Sequence, residues 1–177
     1  RILAEPSALL ADATQKRSWG RAIQVPRSTP IARPQLDSFI SSKLPLKTLQ
    51  TGDIHCAVVS GLSGTGKSSS VVRFVQDRIE NFAFVLWMDA SSEISLQAQL
   101  PMVLKELGAS DDGGDPAVVF TAVMSQIPVP WLLVLDNAVD AESTARWVPR
   151  SGYGHVVITS TNNSWSDNFA ASTIIQG

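Results

Sequence analysis

The sequence predicts a three-layer α/β domain: a parallel five-stranded sheet with helices on both faces. Three observations predict it. Short, almost unbroken apolar runs recur along the chain, as strands buried on both faces require. Stretches with apolar residues at helical spacing separate them, so each strand returns to the sheet through a helix. A glycine-rich loop joins the first of these runs to the helix that follows it.

Residues 4–17 suit a short helix, with Leu9, Leu10 and Ala13 on one side. Residues 18–34 read as linker, because Pro26, Pro30 and Pro34 interrupt any helix and Gly20 and Ser28 loosen the chain. A helix is expected from Gln35 to Leu44, its apolar face built from Leu36, Phe39, Ile40 and Leu44. The first strand is Ile54 to Val59. After the glycine loop, Val71, Val72, Phe74, Val75 and Ile79 form a helical stripe over residues 67–80. Ala83 to Met88 is the second strand. Residues 92–107 read as a helix with Ile94, Leu96, Leu100, Val103, Leu104 and Leu107 inward, bent or split at Pro101. Pro116 suits a first helical position, and that helix runs to about Ile127. Trp131–Leu135 is the clearest buried strand, residues 141–147 allow two helical turns, and strands at His155–Thr159 and Ser172–Gln176 complete the set.

Composition narrows the function. The chain has 177 residues, 44% apolar and 17% charged, with a net charge of −2. No segment approaches the ~18 unbroken apolar residues of a membrane helix. The one cysteine, Cys56, excludes an intramolecular disulfide framework and a thiolate zinc site, and points to a reducing, cytoplasmic setting. His55 and His155 each begin a strand without a third ligand nearby, and Trp87 and Trp131 read as core packing. The first residues, from Arg1, lack the apolar core of a secretory signal, and a segment of a longer chain is expected. Residues 1–50 carry eight basic and three acidic side chains, a net of +5; the rest carry −7. The basic residues are scattered, as in an arm lying on an acidic core; the alternative is a basic segment that meets a nucleic acid or an acidic partner, and for the core nucleic acid is not indicated. The expected organisation is an arm and linker over 1–34 and a core over 35–177.

The residues that carry chemistry lie at strand ends. Gly61-Leu62-Ser63-Gly64-Thr65-Gly66-Lys67-Ser68 matches G-x-x-x-x-G-K-[ST] in full. Glycines let successive amides converge on one concave site, and the next helix adds its positive N-terminus. Lys67 supplies a cation for the β- and γ-phosphates, Ser68 a hydroxyl for magnesium, and Ser69 a donor for the α-phosphate. Loop residues Gly61, Ser63, Gly64, Thr65 and Gly66 cradle the phosphates. The fold class is thus the P-loop NTPase fold.

Leu132 to Leu135 ends in Asp136, an acid placed to order the magnesium beside the phosphate loop. The next residue is Asn137, whose amide orients water but takes no proton from it, so slow hydrolysis or none is expected. Thr159 and Ser160 end the next strand on the same sheet edge, where they are candidates to sense the γ-phosphate.

Together these segments resemble the nucleotide-binding core of the NB-ARC branch of STAND ATPases. The resemblance rests on Val58–Ser69, on Leu132–Ala138, and on Gly154–Ser160 with Trp165 five residues on. It covers about residues 29–177. It implies an ATP/ADP-binding, magnesium-dependent molecular switch within a signal-transducing protein, at most a slow ATPase. It also implies further domains of the same chain as partners, and a possible homo-oligomer on activation. Two departures bear on function. The arginine that often follows the Thr-Ser pair is Thr161 here. Ile31-Ala32-Arg33-Pro34 keeps the apolar residue and arginine of the family's base-contacting segment but not its glycine, leaving Ile31 and Arg33 as carry-overs for adenine and ribose. The helical and winged-helix clamp of the family is expected beyond Gly177. The rival readings are an AAA-like ATPase with real turnover, a small-molecule kinase, and a degenerate fold used as an interaction surface.

Overall fold

A computed structural model describes residues 21–23, 25–26, 32–44, 54–111, 113–165 and 172–174. The expected helix over 4–17 and Ile31 lie outside them. The sheet contains β1 (Arg21–Ile23), β2 (Ile54–Ser60), β3 (Phe84–Asp89), β4 (Trp131–Ala138), β5 (Gly154–Ser160) and β6 (Ser172–Ile174). All pair in parallel, in the order β1-β3-β4-β5-β2-β6. The helices are α1 (Pro34–Lys43), α2 (Lys67–Arg78), α3 (Glu93–Leu107), α4 (Pro116–Ser125) and α5 (Ala141–Ala145).

The expected five-stranded sheet is corrected to four long strands flanked at each edge by a three-residue one. The unexpected strand, β1, lies inside the stretch read as linker. Its three residues pair with Phe84 to Leu86 of β3, a partnership that no local apolar run announces.

Period-two alternation explains the unbroken apolar runs. Leu133, Leu135, Val156 and Ile158 pack into one buried cluster with Leu100, Leu104 and Leu107 of α3 and Phe120 and Val123 of α4. Leu132, Val134 and Val157 pack into the other, with Leu36 and Ile40 of α1 and Val71, Phe74 and Val75 of α2. Each strand therefore buries both faces. At the end of the sheet remote from the strand C-termini, Gly154 is the register partner of Trp131, whose fully buried ring leaves no room for a β-carbon there.

Helix α1 is bolted to α2. Arg78 donates to both carboxylate oxygens of Asp37, at 2.8 and 2.9 Å, and to Ser41 Oγ at 2.9 Å. Its guanidinium also lies 4.5 Å from the centre of the Phe74 ring.

Helix α3 departs from expectation twice. It runs unbroken through Pro101, which sits on the exposed side where water can serve the carbonyl that loses its amide partner. Ile94 is 78% exposed rather than inward. It lies two positions before the buried Leu96, about 200° around the helix, which puts it on the opposite face. Helix starts follow side-chain caps: Ser92 accepts from Ser95 N–H, Asp115 from the Ala117 and Val118 amides with Pro116 at the first position, and Asp140 from Ser143 N–H. Helix α4 stops at Ser125 and α5 after five residues, both shorter than their apolar patterns allow. Trp87, Trp131 and Trp147 are core residues. Burial pushes the Cys56 thiol up to about 12, where it stays protonated and inert.

Candidate functional site

Strand β2 runs in the sheet interior between β5 and β6, and its C-terminal end delivers the glycine loop to α2. Gly64 and Gly66 hold φ of 76° and 79°, a left-handed backbone that a β-carbon resists. Gly66 caps α2 and offers no side chain to its first amides. The loop is anchored at both ends: Gly61 N–H donates to Ser160 O at 3.1 Å, and Ser70 N–H to Gly66 O at 2.9 Å. Between those anchors, the amides of Leu62 through Ser69 donate to no acceptor among the described residues. A run of uncommitted N–H groups at a helix N-terminus is an anion-binding arrangement.

Lys67 lies within this loop. It is 8% exposed, and its Nζ donates to the carbonyls of Gly61 and Leu62, both at 2.8 Å. Burial lowers its pKa below the ordinary lysine value, while the charge on Asp136 pulls the other way. Thr65 Oγ1 donates to Leu62 O at 2.9 Å, closing the tip of the loop on itself.

Strand β5 stands between β2 and β4, yet Asp136 reaches past its end to the loop. Ser68 Oγ donates to Asp136 Oδ1 at 2.7 Å. Thr159 Oγ1 donates to the same oxygen. Among the described residues nothing donates to Oδ2, so a hydroxyl and a free carboxylate oxygen stand together. Such hard oxygen donors fit Mg²⁺, which keeps most of its waters and takes few protein ligands. Ser68 and Asp136 are the residues that would hold it.

The other predicted residues fall into place unevenly. Ser63 and Ser69 lie in the loop and the first turn of α2. Ser160 Oγ donates to Ala138 O at 2.6 Å, so its proton, like that of Thr159, is spent inside the protein. Arg33 is the residue before α1, and among the described residues no hydrogen bond or ion pair ties its side chain to the loop. Trp165 is buried and its indole N–H donates to Asn162 O at 2.8 Å.

Two features were not anticipated. The β4–β5 register shifts between Leu135 and Ala138, and Asn137 adopts φ 64°, the one left-handed non-glycine among the described residues. Asp89 ends β3 as the register partner of Asp136. The signal for Asp89 was present: Trp87-Met88-Asp89 repeats the pattern of an apolar run closed by an acid. Burial pushes the Asp89 carboxyl up, but donors on Ser95, Ser91 and the Asn137 side chain outweigh it and hold it below the ordinary 3.8. Asp140 is likewise held low by the backbone and side-chain donors of Ser143.

These two carboxylates predict an acid response. Both groups bind fewer protons folded than unfolded. Their stabilisation is therefore complete above the unfolded value of 3.8 and is lost as pH falls through the lower folded values. Asp89→Asn should lose less stability than the parent between about pH 4 and pH 2, followed by circular dichroism in urea. Equal slopes would remove Asp89 from this account.

No protein-family model matches the chain, and no curated protein does. Among solved structures it is similar to Cdc6p from Pyrobaculum aerophilum, with a TM-score of 0.57 at 14% sequence identity. The match covers 96% of this chain and 47% of that one, so the chain spans about half the length of that protein. No helix of the described residues is long and apolar enough to cross a membrane. The chain has a parallel α/β fold, with helices packed on the sheet, similar to that of part of Cdc6p.

Proposed function

We propose that this chain is an ATP/ADP-binding switch core of the STAND type, working with magnesium and hydrolysing ATP slowly or not at all. The observation that carries the reading is the run of uncommitted amides from Leu62 to Ser69 folded around the Lys67 ammonium. The amides from Leu62 to Ser69 and the Lys67 ammonium are the donors and the cation that a polyphosphate would use there. Ser68 and Asp136 would hold the metal, which supplies charge neutralisation for the β- and γ-phosphates when bound. Asn137 supports slow turnover, because no carboxylate follows Asp136 to accept a proton from water. ATP over GTP follows from the resemblance to NB-ARC proteins. So do partner domains in a longer chain, while the cytoplasmic setting is read from the single cysteine.

An AAA-like ATPase with real turnover is the second reading. The fold likeness to Cdc6p is compatible with both, while Asn137 and Thr161 weigh against it. A kinase reading loses support from the arginines after Lys67. Arg73, Arg78 and Arg146 are each engaged by a carboxylate away from the loop.

Calorimetry with ATP and ADP, with and without Mg²⁺, tests the first claim. Saturable binding to either nucleotide, tightened by Mg²⁺, is expected. No heat at millimolar nucleotide would overturn the site. A steady-state assay tests the second: turnover below about 1 s⁻¹ is expected, and faster turnover would favour the rival.

A further inference from the structure

Thr159 is fully buried at the end of β5, the strand that separates the phosphate loop from Asp136. A threonine hydroxyl has one proton to give and lone pairs with which to accept. Its proton goes to Asp136 Oδ1. A lone pair receives the backbone N–H of Asn137 at 3.0 Å. That amide needs such a partner, because the register shift takes Asn137 out of the ladder between Leu135 and Ala138. The Thr159 side chain thus replaces a main-chain acceptor and, with the same atom, fixes the acid next door. Ser68 adds the second hydroxyl on Oδ1, which leaves Oδ2 with its lone pairs free.

We infer that Thr159 is a positioning residue for the magnesium-linked part of nucleotide binding: its hydroxyl locks the Asp136 carboxylate and the Asn137 bend into one unit and does not itself donate to the γ-phosphate. The inference rests on the loop being a nucleotide site. A donated hydrogen bond to the γ-phosphate would need a second proton on the same oxygen, which threonine lacks. Ser68 differs. It can keep its proton on Asp136 while its lone pair faces a metal.

Thr159→Val preserves shape and removes both bonds, whereas Thr159→Ser preserves both. Two readouts separate positioning from mere packing: ATP affinity in EDTA against excess Mg²⁺, and hydrogen exchange of the Asn137 amide in protein free of nucleotide and metal. Thr159→Val should bind ATP in EDTA within about twofold of the parent, yet lose roughly tenfold of the tightening that Mg²⁺ confers, the worth of one hydrogen bond to a charged group. Its Asn137 amide should exchange about tenfold faster or more. Thr159→Ser should match the parent in both. If Thr159→Val fails to fold, Thr159→Ala serves in its place. Retained Mg²⁺ tightening in the valine or alanine variant would overturn the inference, as would equal losses in EDTA and Mg²⁺ or failure of serine to rescue. A parent chain that binds no nucleotide at all would instead overturn the site itself.

Discussion

Lys67→Met should cost about 3 kcal/mol of nucleotide affinity, roughly 100-fold, the scale of a lost charge-assisted hydrogen bond to phosphate. The fold should survive. Methionine keeps most of the apolar stem, and the variant no longer buries an ammonium that is only 8% exposed. What it gives up are two bonds to the carbonyls of Gly61 and Leu62, one of which retains the Thr65 hydroxyl. Calorimetry with ATP and a thermal melt of the same samples would separate the two effects. Loss of fold together with loss of binding would mean that the ammonium serves the core rather than a ligand. The alkaline limb adds a signed check. Lys67 titrates lower folded than unfolded, so in that window the unfolded chain binds the extra proton and stability gains as pH rises. That gain should be present in the parent and absent from Lys67→Met.

Gly154→Ala should be among the most damaging single-methyl changes in the molecule. The added β-carbon would stand 2.4 Å from three atoms of the Trp131 ring, and that ring is 0% exposed with no free side to turn into. Overpacking a filled core costs typically 1–3 kcal/mol, and a rigid indole puts this case at or above the upper figure, about 3 kcal/mol. For a domain of this length that corresponds to a drop of roughly 10 °C in Tm. The clash lies at the N-terminal ends of β4 and β5, away from the loop. Nucleotide affinity at low temperature should therefore be close to that of the parent. Trp131→Phe in the alanine background should recover part of the loss, because the smaller ring makes room. Additive losses in the double variant would show that the two sites do not meet.

Legibility followed locality. The glycine loop is contiguous, and each residue type in it has a local reason, so Gly61 to Ser69 could be singled out as a candidate site before any fold was known. The four long strands were equally plain, because burial on both faces leaves an unbroken apolar run. Asp136 was readable from its position after such a run. What escaped depends on partners distant in the chain. Arg21-Ala22-Ile23 is a strand only because β3 offers an open edge. Ile94 looked inward until its angle from Leu96 was taken into account. The bend at Asn137 and the double duty of the Thr159 hydroxyl arise from a register shift between two strands, which neither strand encodes alone. Asp89 was overlooked although its run resembles that of Asp136, since its importance comes from lying beside Asp136 in the sheet.

The left-handed turn at position 137 also limits how this chain can change. Asparagine and glycine tolerate that conformation, while longer side chains pay about 1 kcal/mol or more for it. A glutamate at 137, one replacement that would furnish a proton acceptor, meets that penalty at once, whereas an aspartate shares asparagine's tolerance of the turn. The turn therefore sorts the carboxylates that position 137 can take, admitting the short one and resisting the long one.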